Sequence, residues 1–229
     1  TGLEARDLNE ISGGRFVLGV GTGNLHFNQL YMGIDSLKAK AKMRDFMEIV
    51  GLVVRGRAAE RVRYQGDVHR IRWRATWDPT SPPPPVYMSA SGPNMVRLAG
   101  EVSDGVGIGI MSSVAFVRDK VRPNAKAGAE AAGRDPNQLL FPTAATVSIN
   151  RDIAAAREAS KRAICKLYHP IPHPYYDSQL RQMGFEEFAD QATQLVPAGR
   201  LREAIDLVPE EVVDTMTITG DVEQCAARV

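Results

Sequence analysis

The chain has 229 residues, 44% hydrophobic and 24% charged, which is enough for one sizeable core. Its 28 basic and 27 acidic residues nearly cancel, and no long block of like charge stands out, which argues against nucleic acid or an anionic membrane as partner. No apolar run reaches the length of a membrane span and no signal peptide is legible; Cys165 and Cys225, without metal-ligand spacing, fit idle thiols in a reducing, cytoplasmic setting.

The first segment reads as a helix carrying Leu3, Leu8 and Ile11 on an otherwise charged stretch. It opens on Thr1 with no methionine before it, so further residues of the natural domain are expected upstream. Arg15 to Val20 reads as a strand closed by glycines. Gly19-Val20-Gly21-Thr22-Gly23-Asn24 is not a dinucleotide fingerprint. That pattern needs glycine where Asn24 stands and a helix that opens at once, whereas the next helical periodicity starts about ten residues on. The glycines suit a loop where backbone passes close to a flat or phosphorylated ligand, or simply a flexible strand end. Thr22 offers a hydroxyl, and Asn24 both a donor and an acceptor. His26 is a candidate acid, base or hydrogen-bond partner, or a solvated loop residue.

Residues 35 to 55 form a helix with Met43, Phe46, Met47, Val50, Val53 and Val54 on a buried stripe. Residues 60 to 74 suggest a hairpin around Gly66, rich in arginine (Arg57, Arg61, Arg63, Arg70, Arg72, Arg74) beside Tyr64, Trp73 and Trp77. A solvated hairpin and a clamp for an anionic ligand tail or partner subunit are both open. Trp77 to Pro85 is too proline-rich for regular structure. Val86 to Ser89 is then a strand, and Ala90-Ser91-Gly92-Pro93 leads into a helix running to about Val102. Proline is tolerated at the first helical position, and the small residues before it let an anion approach the helix N-terminus. A tight turn without ligand reads equally well.

Gly105 to Met111 is the next strand, and Asp104 before it suits pinning backbone N–H groups. Residues 113 to 132 are helical and stop at Gly133. Phe141 to Ile149 reads as a strand, followed by a helix capped by Asp152 and ending near Tyr168. His169 to Tyr176 is a proline-broken loop in which His169 and His173 cannot share a helical ligand face. Residues 186 to 206 are one or two helices, Val212 to Thr219 a strand, and Asp221 the cap of a last helix. Strand–helix alternation five times over means α/β with a parallel sheet. A doubly wound sheet and most of a (β/α)8 barrel both fit.

The motifs taken together resemble the bacterial-luciferase-like superfamily, in particular its branch of coenzyme F420-dependent oxidoreductases. They are Ser12-Gly13-Gly14-Arg15-Phe16-Val17-Leu18 to Gly23, Pro84 to Tyr87, Ala90-Ser91-Gly92-Pro93, Ala99-Gly100, Asp104-Gly105, Gly128 to Pro136 and Val208-Pro209 to Asp221. The resemblance implies a (β/α)8 TIM barrel of which residues 1–229, a single domain, are about the last five βα units. Roughly three units that carry the residues usually assigned to catalysis would precede it, so the catalytic residues cannot be placed. It implies cofactor contacts at Gly21, Thr22, Gly23 and Asn24 near the ring and ribityl chain, and at Ala90, Ser91, Gly92 and Pro93 around the phosphate. The cofactor implied is coenzyme F420, with FMN as the alternative, and no metal. The reaction implied is hydride transfer to or from a small organic substrate. The alternatives are an FMN-dependent monooxygenase with a flavin reductase partner and a non-catalytic flavin-binding protein. Several dehydrogenases of the branch carry Glu after Gly-Thr-Gly; Asn24 here weakens a sugar-phosphate dehydrogenase reading. A homodimer is the expected assembly, and the His169 to Gly184 segment is expected to shape the substrate pocket.

Overall fold

A computed structural model describes residues 1–35 and 37–229, apart from the side chains of Leu25 and His26. In chain order the elements are α1 (Gly2–Ile11), β1 (Leu18–Gly21), α2 (Leu25–Met32), α3 (Ala39–Arg55), β2 (Arg61–Gln65), β3 (Arg70–Arg74), β4 (Val86–Ser89), α4 (Pro93–Val102) and β5 (Gly105–Gly107). They continue with α5 (Val114–Phe116), a π turn (Val117–Val121), α6 (Arg122–Ala131), β6 (Val147–Ile149), α7 (Ile153–Lys166) and α8 (Pro174–Gln182). The last are α9 (Glu186–Leu195), α10 (Leu201–Leu207), α11 (Glu210–Met216), β7 (Ile218–Gly220) and α12 (Val222–Ala226). Two compact units result, residues 1–108 with 121–142, and residues 109–120 with 143–229.

In the first unit β1, β4 and β5 are parallel neighbours in that order. The next chain segment continues the series, because Val106 N–H donates to the Leu140 carbonyl and Ile108 N–H to that of Pro142, each at 2.8 Å. The order never reverses, as a doubly wound sheet would require. Leu18 and Val20 of β1 point to one face and Gly19 and Gly21 to the other, the period-two alternation of a strand. The stripe of α3 is buried as expected, with Met47, Val50 and Val54 at 3% exposure or less, each contributing roughly 1.5–3 kcal/mol of burial. Helix α4 packs against α6 where both carry glycine: a Cβ at Gly100 would overlap the Ala125 carbonyl, and one at Gly128 that of Arg97. The Ala99-Gly100 and Gly128 motifs therefore serve helix contact.

Polar clamps hold the irregular parts of this unit. Buried Arg6 stacks on Trp77 (4.6 Å to the ring centre) and donates to its carbonyl at 2.8 Å. Asn9 donates to the Pro82 carbonyl, and the Glu10 carboxylate accepts from the N–H groups of Thr80 and Ser81. The proline-rich stretch is thus tied down along α1. Asp104 accepts from Val86 N–H at 2.9 Å, the pinning role expected of it, and from Arg55. Gly133 has φ +69° and closes α6 in a Schellman arrangement, Arg134 N–H bonding the Ala129 carbonyl and Gly133 N–H that of Glu130.

In the second unit β6 and β7 pair in parallel, beneath a core that includes Ile164, Tyr168, Leu180, Phe188 and Val212. Asp152 caps α7 by accepting from Ala155 N–H, and Asp221 forms a capping box with Gln224 on α12.

Several expectations are corrected. A helix, α2, opens two residues after Gly23 rather than ten. The strand expected over residues 105–111 ends at Gly107, and the one over 141–149 shortens to β6, since Pro142 has no N–H with which to continue a ladder. The helix over 113–132 is broken by the π turn, just before Pro123, which lacks a donor. Residues 174–182, read as loop or left unassigned, form α8; Pro174 occupies its first position, where its ring is tolerated. Val212 to Thr219 divides into the end of α11 and β7, a short apolar run that periodicity alone cannot allocate.

Candidate functional site

The parallel register of β1, β4 and β5 sets two rows across one sheet face. Gly19 stands opposite Tyr87 and Tyr87 opposite Gly105; one layer toward the C-terminal end, Gly21 stands opposite Ser89 and Ser89 opposite Gly107. A Cβ on Gly105 would lie 2.9 Å from the Tyr87 ring, and one on Gly107 2.7 Å from Ser89 Oγ. Those two glycines make room for Tyr87 and Ser89. Gly19 meets nothing within 4 Å, and Gly21 only Ser89 and backbone, and both are exposed. The result is a sheet face stripped of side chains on β1, with its backbone open to approach at the C-terminal end.

Directly beyond Ser89 the chain enters α4. Ser91, Gly92, Pro93 and Asn94 are all exposed. Gly92 is the N-cap residue with extended backbone (φ −81°, ψ 153°), and no side chain caps the helix. Its carbonyl accepts from Met95 and Val96 N–H, while among the described residues the N–H groups of Ser91, Gly92 and Asn94 make no hydrogen bond. A Cβ on Gly92 would meet nothing within 4 Å. These open donors lie at the positive end of a ten-residue helix, at the ends of the strands, a setting whose physics suits an anion.

Of the candidate residues, Gly21, Thr22 and Gly23 at the end of β1 and Ala90 to Pro93 at the end of β4 belong to this one sheet edge. Asn24 has a local role: its Oδ1 accepts from Phe27 N–H at 3.1 Å and caps α2. Thr22 is held by Asn28, whose side chain donates to the Thr22 carbonyl at 2.9 Å. The side chain of His26 lies outside the described residues. On the other face of β1, Val20, Met43 and Phe46 floor a cavity of about 260 Å³. Its rim carries Thr22, His69 and the Asp35–Lys42 ion pair, 3.6 Å apart. Tyr87, Ser89 and Gly107 were missed by sequence reasoning, which reads Gly19 only as one of the glycines of the ligand loop. Alternation within each strand could have placed them on a face, but not beside one another.

In the second unit, Gln179 of α8 is fully buried and accepts from Ser113 N–H at 2.9 Å while donating to the Met111 carbonyl at 3.1 Å. Ser112 bonds the Tyr175 hydroxyl at 2.8 Å. These contacts fix the segment after Ile108, where Met111 has φ +58°. Burial pushes the Tyr176 hydroxyl up to about 12 and moves His173 below its ordinary value. Burial also raises the Cys165 thiol to about 12, leaving it unreactive at neutral pH. Among the described residues no three His, Cys, Asp or Glu side chains are grouped to hold a metal. No described helix is long and apolar enough to cross a membrane.

The sequence profile of luciferase-like monooxygenases matches residues 2–229. The chain is 29% identical over 228 residues to 5,10-methylenetetrahydromethanopterin reductase of Methanolobus tindarius, covering 97% of this chain and 65% of the relative. It is 31% identical over 148 residues to F420-dependent glucose-6-phosphate dehydrogenase of Nakamurella multipartita, covering 65% of this chain and 43% of the relative. Its structure superposes on coenzyme F420-dependent tetrahydromethanopterin reductase of Methanopyrus kandleri with a TM-score of 0.75 at 25% identity, over 99% of this chain and 67% of the other. The chain thus spans about two thirds of the length of the reductases it matches. With its parallel βα units following one another in chain order and a profile match over nearly its whole length, the chain is α/β of the (β/α)8-barrel type and belongs to the luciferase-like monooxygenase family.

Proposed function

We propose that this chain is part of a coenzyme F420-dependent oxidoreductase that transfers hydride between the deazaflavin and a small organic molecule, within a single barrel domain. The observation that carries the reading is the open glycine face of β1, in register with the uncapped N-terminus of α4. A flat ring system with a phosphate-bearing tail fits such an edge: the ring against Gly19 and Gly21, the phosphate on the N–H groups of Ser91, Gly92 and Asn94. A solved reductase and a dehydrogenase relative that are both named for F420 support the choice of deazaflavin over FMN. Bound there, the cofactor would accept or deliver the hydride. The chain's own residues would bind it and orient it, one ring face against backbone that carries no side chains and the other left open to the substrate.

Asn24 favours a reductase over a sugar-phosphate dehydrogenase. Its carboxamide has no acidic proton to give, and its Oδ1 is committed to capping α2. A cytoplasmic setting accords with two buried, unpaired cysteines.

The test is Gly92→Val. Gly92 is extended and its Cβ direction is empty, so valine should fold normally while filling the anion's space. Fluorescence titration with F420 should show affinity at least about tenfold weaker, equivalent to ~1.4 kcal/mol, with at most a small drop in melting temperature from the poorer N-cap. Unchanged F420 affinity would remove the phosphate from α4. Tighter binding of FMN than of F420 by the unmodified protein would replace the deazaflavin.

A further inference from the structure

Strands β2 and β3 form a two-stranded antiparallel hairpin that, among the described residues, no other strand joins. Its inner face carries Val62, Tyr64, Ile71 and Trp73, and the Asp45 carboxylate fastens the turn by accepting from Val68 and His69 N–H at 2.7 Å and from the Tyr64 hydroxyl at 2.8 Å. Its outer face is another matter. The pairing sets Arg61 opposite Arg74, Arg63 opposite Arg72 and Gln65 opposite Arg70, and all six are exposed. Directly opposite side chains start about 4.5–5.5 Å apart, and like charges there are destabilising. Among the described residues none of these five arginines has a carboxylate within 4.0 Å, whereas arginines elsewhere, such as Arg55, Arg157 and Arg181, are paired.

We infer that this hairpin is a docking surface for an extended acidic segment of a partner protein, which adds as a third strand to the open edge of β3. Two features fit that partner and no other polyanion so well. Residues Arg70, Arg72 and Arg74 repeat every second position, about 6.6 Å apart, which is the spacing of same-face carboxylates on a neighbouring strand. An unpaired strand edge supplies backbone donors and acceptors that an added strand satisfies, with side chains giving the specificity. Arginine forks bind carboxylates in two-point fashion, which lysines used merely to blunt an edge would not. A single-stranded nucleic acid would want aromatic platforms on the charged face. Here Tyr64 and Trp73 lie on the opposite face, and the charged face is only about 13 Å long.

The experiment is fluorescence anisotropy with the whole chain and short labelled peptides. The probe alternates Glu with Thr; its controls are the same composition with the glutamates in one block, the probe N-methylated at alternate backbone positions, and a single-stranded oligothymidylate. Saturable binding of the alternating probe is expected, weakened about tenfold in Arg70→Glu/Arg72→Glu and by N-methylation, and weakened further by salt. Both substitutions are at exposed positions, and circular dichroism verifies that the variant is folded. Equal binding of the block peptide, tighter binding of the oligonucleotide, or no saturable binding at all would overturn the proposal. F420 titration of the same variant reports separately on the cofactor site, where no change is expected.

Discussion

At the residue scale, the glycines divide by what they stand against. Gly92 and Gly19 face open space, and Gly100 and Gly128 face backbone of the helix packed on them. Replacing Gly100 by alanine should therefore destabilise the chain by about 3 kcal/mol, since overpacking against a carbonyl outweighs the ~1 kcal/mol gain in helix propensity. Urea unfolding would measure it, and the same substitution at Gly19 should be nearly silent in stability. Both motifs stood out in the sequence, but as undifferentiated small residues. A glycine's reason lies in the atoms opposite it, which come from segments distant in sequence: Ala125 for Gly100, Arg97 for Gly128, and nothing for Gly92.

At the element scale, α8 decides the shape of the segment after Ile108. Truncating Gln179 to alanine would leave Ser113 N–H and the Met111 carbonyl buried without partners, a cost of about 3 kcal/mol at ~1–3 for each group. Amide hydrogen exchange should speed up at residues 109–113 while α7 stays protected. This element escaped sequence reasoning because three prolines near its start read as breakers, although one of them occupies the single helical position that proline suits. By contrast α4 was legible to the residue, α7 to within two residues, and α3 at its end though it starts four residues later than expected. Their stripes, the Pro93 start and the Asp152 cap are signals contained within one turn of helix.

For the whole molecule, the titrating groups held below their ordinary values agree in the sign of their effect. Burial raises the Asp45 carboxyl, but the N–H groups of His69 and Val68 outweigh it and hold it below its ordinary 3.8. Hydrogen bonds from Thr80 and Ser81 lower Glu10 to about 2. Burial keeps His173 below 6.5. In each case the unfolded chain binds protons first as pH falls, so stability is full above neutrality and erodes downward, first through His173 and then through the carboxylates below pH ~4.5. Melting temperature followed from pH 8 to 3 should fall monotonically, and Asp45→Asn should flatten the acid limb. Composition and short-range pattern were sufficient for the α/β class, for most helices with their caps, and for the positions where β1 and β4 end, because alternation, capping and turn chemistry act over a few neighbouring residues. They left a doubly wound sheet and a barrel equally possible. Only the tertiary structure put Gly21 beside Ser89 and Ser89 beside Gly107, and ran β1, β4, β5 and residues 140–142 in one unreversed series. Strand register is a pairing between segments far apart along the chain, and no local propensity encodes it.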